Sequence, residues 1–236
     1  MATKCLVILL LLAGAGPVRA AETAAASKPK KKGPSAPDWN EQAADRVPLF
    51  DGKSLQGWQI TDFAGHGHVT VEPAFRAGTN APGPVILLDM GAILTGISWT
   101  NPAPKGEYEL SLEAMKVDGS DFFCALTFPA AGEHCSLVVG GWGGGVVGIS
   151  SVDGMDASEN ETTKFISFDK NRWYLIRLRV TKDKIEAWID QDQVVNLVTT
   201  DRRISMRAGE IELAAPLGIS NYQTKAAIRN IRLRKL

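Results

Sequence analysis

NRWYLIRLRVTKDKIEAWIDQDQVVNLV, residues 171–198, is the stretch whose reading decides the fold. Tyr174, Ile176, Leu178 and Val180 share one parity, and Arg177, Arg179 and Thr181 share the other. Side chains two apart on a strand lie on one face, so this alternation predicts a strand with one buried face. After a turn at Lys182-Asp183-Lys184 the pattern returns, with Ile185, Ala187 and Ile189 set against Glu186, Trp188 and Asp190. A further turn is expected over 190–193. A helical hairpin would need apolar residues at three-and-four spacing, which this run lacks. A sheet with one apolar face needs a second layer to cover it.

Working outward, short apolar pieces punctuated by Gly and Pro predict strands over 68–72, 85–89, 93–99, 107–117, 122–128, 135–139, 146–150, 164–168, 210–214, 217–220 and 227–233. In the last of these, Ile228 is off the parity of Ile231 and Leu233, as a bulge would allow. No segment carries a long helical period and no internal repeat is present. The expected fold is all-β, a sandwich of two antiparallel sheets.

The chain has 236 residues, with 26 Lys/Arg balanced by 26 Asp/Glu. The balance is uneven, because residues 1–46 hold seven Lys/Arg and four Asp/Glu. The remainder is mildly acidic and has no nucleic-acid footprint. Lys4, the apolar run 5–15 and Val18-Arg19-Ala20 predict a signal peptide over 1–20. The run is shorter than the roughly 20 residues of a spanning helix, so no transmembrane segment is expected in the mature chain. Residues 21–46, rich in Ala, Lys, Pro and Ser, read as a disordered linker, and 47–236 as the folded domain. The expected location is secreted or periplasmic. Cys124 and Cys135 flank an expected hairpin, where either a disulfide or two buried thiols would fit.

The opening Leu49-Phe50-Asp51-Gly52-Lys53-Ser54-Leu55-Gln56-Gly57-Trp58 carries a resemblance, as do the strand 108–113, the hairpin 173–190 and the closing Arg229-Asn230-Ile231-Arg232-Leu233. Together they resemble the 3-keto-disaccharide hydrolase family. The resemblance implies a concanavalin-like jelly roll, export from a bacterial cell, and action on 3-keto-glucosides by 1,2-elimination followed by hydration.

Such an elimination needs a base for the C2 hydrogen, a stabiliser for the enolate and a proton donor for the leaving oxygen. Glu109, Ser111 and Glu113 share a strand face and Asp121 opens the next strand, so Glu113 and Asp121 are acid/base candidates. Arg177 and Arg179 are candidates for holding an enolate. His134, beside the Gly-rich segment 140–145, is a third catalytic candidate. Trp142 stands among those glycines with few neighbours to bury it and is the expected sugar platform; Trp188, on a polar strand parity, is the second. The polar loop 148–163 supplies Asp153, Asp156 and Asn160 as sugar-binding candidates, and the same oxygens would suit calcium, without an EF-hand spacing. His66 and His68 have no neighbouring Cys or carboxylate in sequence, so neither a metal nor another cofactor is expected. The expected partner is a carbohydrate, turned over by an enzyme or held by a non-catalytic binding module; an envelope structural protein is the third reading.

Overall fold

The computed structural model describes residues 45–236. The segment read as a signal peptide, and all but the last two residues of that read as a linker, lie outside the described residues. Fifteen strands make up the described chain: β1 (Val47–Pro48), β2 (Trp58–Ile60), β3 (Val69–Phe75), β4 (Gly83–Leu88), β5 (Leu94–Trp99), β6 (Tyr108–Gly119), β7 (Cys124–Ala130), β8 (Glu133–Gly140), β9 (Val146–Ser150), β10 (Lys164–Phe165), β11 (Trp173–Val180), β12 (Lys184–Ile189), β13 (Asp192–Val198), β14 (Gly218–Tyr222) and β15 (Thr224–Lys235). The first sheet runs β13-β12-β11-β6-β15-β4-β3, with β1 paired to β15; the second runs β10-β9-β8-β7-β14-β5-β2. The pairing is antiparallel in both, and the inner faces meet in one core, so the all-β sandwich expected from the sequence is the fold.

The alternation in 174–189 does what a one-sided strand pair requires. Tyr174, Ile176, Leu178, Val180, Ile185, Ala187 and Ile189 all enter the core, and register sets Leu178 opposite Ala187 and Ile176 opposite Ile189. The hairpin continues into β13, whose first two residues fall within the turn expected over 190–193. A bulge in β13 opposite Ala187 and Trp188 breaks the alternation there, and both Val194 and Val195 are buried in the core. The expected bulge near the chain end is also present, because the β15–β6 register shifts between Arg229 and Arg232.

Two expectations need correction, and one alternative left open by the sequence is decided. Residues 210–214 form a 3₁₀ turn rather than a strand: Glu212 N–H bonds the Gly209 carbonyl and Ala215 N–H bonds that of Glu212. Its alternation of Ile211 and Leu213 mimics a strand, but Leu213 is exposed while Ala214 is buried. Cys124 pairs with Val139 and Cys135 with Phe128, so the thiols are not opposite and both are free and buried. Burial raises both thiol pKa values, that of Cys124 to about 12.

The second correction concerns the polar face of the first sheet. Glu109 is fully buried there and accepts from Arg46 (3.0 Å), Arg179 (2.6 Å) and Arg234 (2.7 Å), while Arg46 also donates to Ser111 (3.3 Å). Arg46, read as the end of the linker, is therefore locked into the domain. Arg177 is buried beside this cluster and donates to the Asp190 carbonyl. The buried Glu109 carboxylate is thus compensated by three guanidiniums, as a buried charge requires.

Candidate functional site

The outer face of the second sheet is the one that stays open. Register places Ser136 beside Ser150, Ala125 beside Val138, and Tyr222 beside Leu94. Paired residues point to the same face, so hydroxyls, small apolar groups and large apolar groups form three successive rows. The rows line a cavity of about 430 Å³, roofed by Arg207, Ala208, Glu210 and Ile211 and edged by Asp121, Phe122 and Trp142. Ala157 closes the floor on the side of β8 and β9, packing with Ala125, Val138 and Val146. Phe63 and Ala214 pack with Leu94 on the other side.

Trp142 reaches the rim because of the glycines around it. Gly140, Trp142, Gly143 and Gly144 all have positive φ. A Cβ at Gly144 would come within 2.8 Å of the Ser120 carbonyl, so the turn packs too closely for a larger residue. The indole is left 42% exposed. A non-glycine residue held at φ 48° is strained, and such strain is concentrated at functional sites. Asp121 fixes this turn: Oδ2 accepts the Gly143 N–H at 2.9 Å and Oδ1 the Phe122 N–H at 2.8 Å.

Arg207 stands over the indole, its guanidinium carbon 5.7 Å from a ring centroid, and pairs with Asp156 at 2.8 Å. Asp156 also accepts from Ser150 (3.2 Å) and Ser151 (3.3 Å), and so anchors both Ser150 and Arg207 of the cavity wall. Ser136 bonds Thr127 at 2.8 Å. Glu210 opens the 3₁₀ turn, and its Oε1 accepts the Ala64 N–H at 3.4 Å. Its Oε2 is buried and has no hydrogen-bond partner among the described residues. A buried carboxylate oxygen without a donor is costly, and Glu210 is also one of the residues lining the cavity.

The sequence candidates are dispersed over the molecule. Asp121 and Trp142 line the cavity, and Asp156 stands directly behind it. His134 shares the outward parity of Ser136 and Val138 but lies beyond the lining, opposite Pro129. Glu113 is on the outer face of the other sheet, bound by Arg229 (2.7 Å) and Asn230 (2.7 Å). Trp188 is buried on that sheet, with Arg179 over its ring. Asp153 is a turn residue accepting from the Arg203 N–H (2.8 Å) and pairing with Arg202 (2.7 Å). The Arg203 N–H hydrogen bond above all holds its pKa below the ordinary carboxylate value, against desolvation and with the help of the Arg202 charge. Asn160 is buried and donates to the carbonyls of Ile149, Met155 and Asp156 while accepting from Thr162, so it staples the polar loop. Its amide is committed to the fold. Arg207 and Glu210 were missed because both lie at the entry to the segment read as a strand.

A two-sheet sandwich with an open cavity on the outer face of one sheet places the chain among lectin-like jelly-roll proteins. It belongs to the 3-keto-alpha-glucoside-1,2-lyase-like domain family, whose model matches residues 45–234. Among solved structures, it is similar to a Bacillus subtilis protein of unknown function with a galectin-like fold (TM-score 0.51, 11% identity, covering 80% of this chain and 94% of that one). It is also similar to domain 4 of an extracellular arabinanase from Geobacillus stearothermophilus, solved in complex with arabinotriose (TM-score 0.50, 14% identity, covering 81% and 91%). At these identities the likeness bears on the fold alone. No curated protein sequence matches the chain.

Proposed function

We propose that the cavity under Trp142 binds a 3-keto-glucoside and catalyses its 1,2-elimination and hydration, a net hydrolysis, in a protein exported from the cell. The observation that carries this reading is a cavity lined by Glu210, whose Oε2 has no hydrogen-bond partner among the described residues, together with Arg207 and an exposed indole. The family supports the same chemistry.

The ketone at C3 acidifies the C2 hydrogen, which Glu210 removes. Arg207 faces the enolate oxygen, where fixed positive charge stabilises the charge that develops. The C1–O bond then breaks and the aglycone takes up a proton, for which the Tyr222 hydroxyl in the cavity wall is the candidate donor. Water adds across the resulting C1=C2 bond and gives 3-keto-glucose. Trp142 stacks against the sugar ring, Ser136 and Ser150 bond its hydroxyls, and Asp121 and Asp156 are positioning residues for Trp142 and Arg207.

The test is to incubate the protein with a 3-keto-disaccharide and, separately, with its unoxidised parent, and to follow free sugar. Release from the ketone alone is expected. Binding without release would make the domain a non-catalytic carbohydrate-binding module, and absence of binding would remove the cavity as the site.

A further inference from the structure

Resting on the reading above, we infer that the site takes glucosides whose leaving group is apolar, such as an aromatic ring, in preference to those that release a second sugar. The cavity is chemically divided. Near β8 and β9 it presents Ser136, Ser150, Arg207 and Trp142 around a floor of Ala125 and Val138, polar groups suited to the hydroxyls of a sugar ring and an apolar floor suited to its face. Near β5 and β14 it presents Ile93, Leu94, Phe122, Ile211 and Tyr222. The rings of Phe122 and Tyr222 pack at 5.6 Å with a 41° tilt, and Leu94 is paired with Tyr222 in the β5–β14 register.

A sugar needs hydrogen-bond partners for nearly every hydroxyl when it leaves water, and an unmatched hydroxyl costs more than its apolar contacts return. The β5 side has few such groups: the Tyr222 hydroxyl and the Glu210 carboxylate, whose Oε1 already accepts the Ala64 N–H and which acts on the reacting ring. A second sugar placed there would be desolvated without compensation, whereas an aromatic or alkyl group would gain from the transfer. The apolar strip also continues out of the cavity, since Ile93 is 45% exposed at its rim and Met90, in the same β4–β5 turn, is 47% exposed. An aglycone longer than the cavity would still meet apolar surface. The chemistry is unchanged: the C1–O bond breaks, the aglycone departs as an alcohol or phenol, and water replaces it at C1.

The test compares the wild type with Ile93→Ser on phenyl 3-keto-glucoside and on a 3-keto-disaccharide. Each substrate is compared with itself across the two proteins, so intrinsic leaving-group reactivity cancels. Ile93→Ser is expected to lower kcat/KM for the phenyl substrate roughly tenfold and to leave the disaccharide within about twofold. Ile93→Leu, which keeps the apolar surface, should hold both substrates within about twofold of the wild type and guards against a fold defect at the turn. Equal losses on both substrates, or none on either, would overturn the inference. If the wild type turns over neither substrate, the proposed reaction fails. Calorimetric binding of the phenyl compound then decides the aglycone inference, with selective weakening in Ile93→Ser supporting it and unchanged affinity overturning it.

Discussion

Replacing Trp142 by Ala removes the platform without opening the core. The indole is 42% exposed, and a tryptophan side chain offers about 250 Å² of surface, so about 100 Å² is free for a ligand. A sugar ring stacked on one face would cover half to all of this. At about 25 cal/mol per Å² the lost contact is ~1.3 to 2.5 kcal/mol, or roughly ten- to seventyfold in affinity. The backbone keeps its left-handed turn, because the Asp121 contact to Gly143 N–H does not involve the indole. Folding stability is therefore expected to change by less than about 1 kcal/mol. Titration calorimetry of a 3-keto-disaccharide against the Glu210→Gln protein, with and without Trp142→Ala, measures the affinity free of turnover. Unchanged affinity in a folded double variant would refute the reasoning and move the ligand away from the rim.

Glu109→Ala strips three guanidiniums of the carboxylate they share, and breaking such a buried pair costs about 3 to 5 kcal/mol. For a domain of this size that is a fall in Tm of roughly 6 to 20 °C, and a change under 2 °C would show the cluster to be dispensable. The buried thiols give stability an alkaline limb. Below the ordinary thiol pKa of 9.0 both folded and unfolded states keep the proton, so there is no effect. Above it the unfolded state ionises while folded Cys124 holds its proton to about 12, so stability falls with rising pH across that window by about 1.4 kcal/mol per unit for this thiol. Denaturation midpoints between pH 8 and 11 should fall less steeply in Cys124→Ala, and an unaltered slope would contradict the burial.

The first-sheet hairpin was legible because its inner face meets only apolar partners, so period-2 alternation survives undisturbed from Tyr174 to Ile189. The polar face was not, because what buries Glu109 are arginines 63, 70 and 125 residues away in sequence. Local pattern carries no trace of such pairs. The site is legible in part for the same reason. Trp142 shows itself through the glycines that strip it of neighbours, and Asp121 through its place at a strand opening. The Ser136–Ser150 row exists only through the β8–β9 register, and Glu210 through a 3₁₀ turn whose apolar spacing imitates a strand.

The most direct test of the account is removal of the C2 hydrogen. In D2O, NMR of a 3-keto-glucoside with the wild-type protein should show loss of the C2 proton signal together with release of the aglycone, and Glu210→Gln should slow both at least about a hundredfold while still binding the substrate. C2 exchange and release at wild-type rates in Glu210→Gln would contradict it.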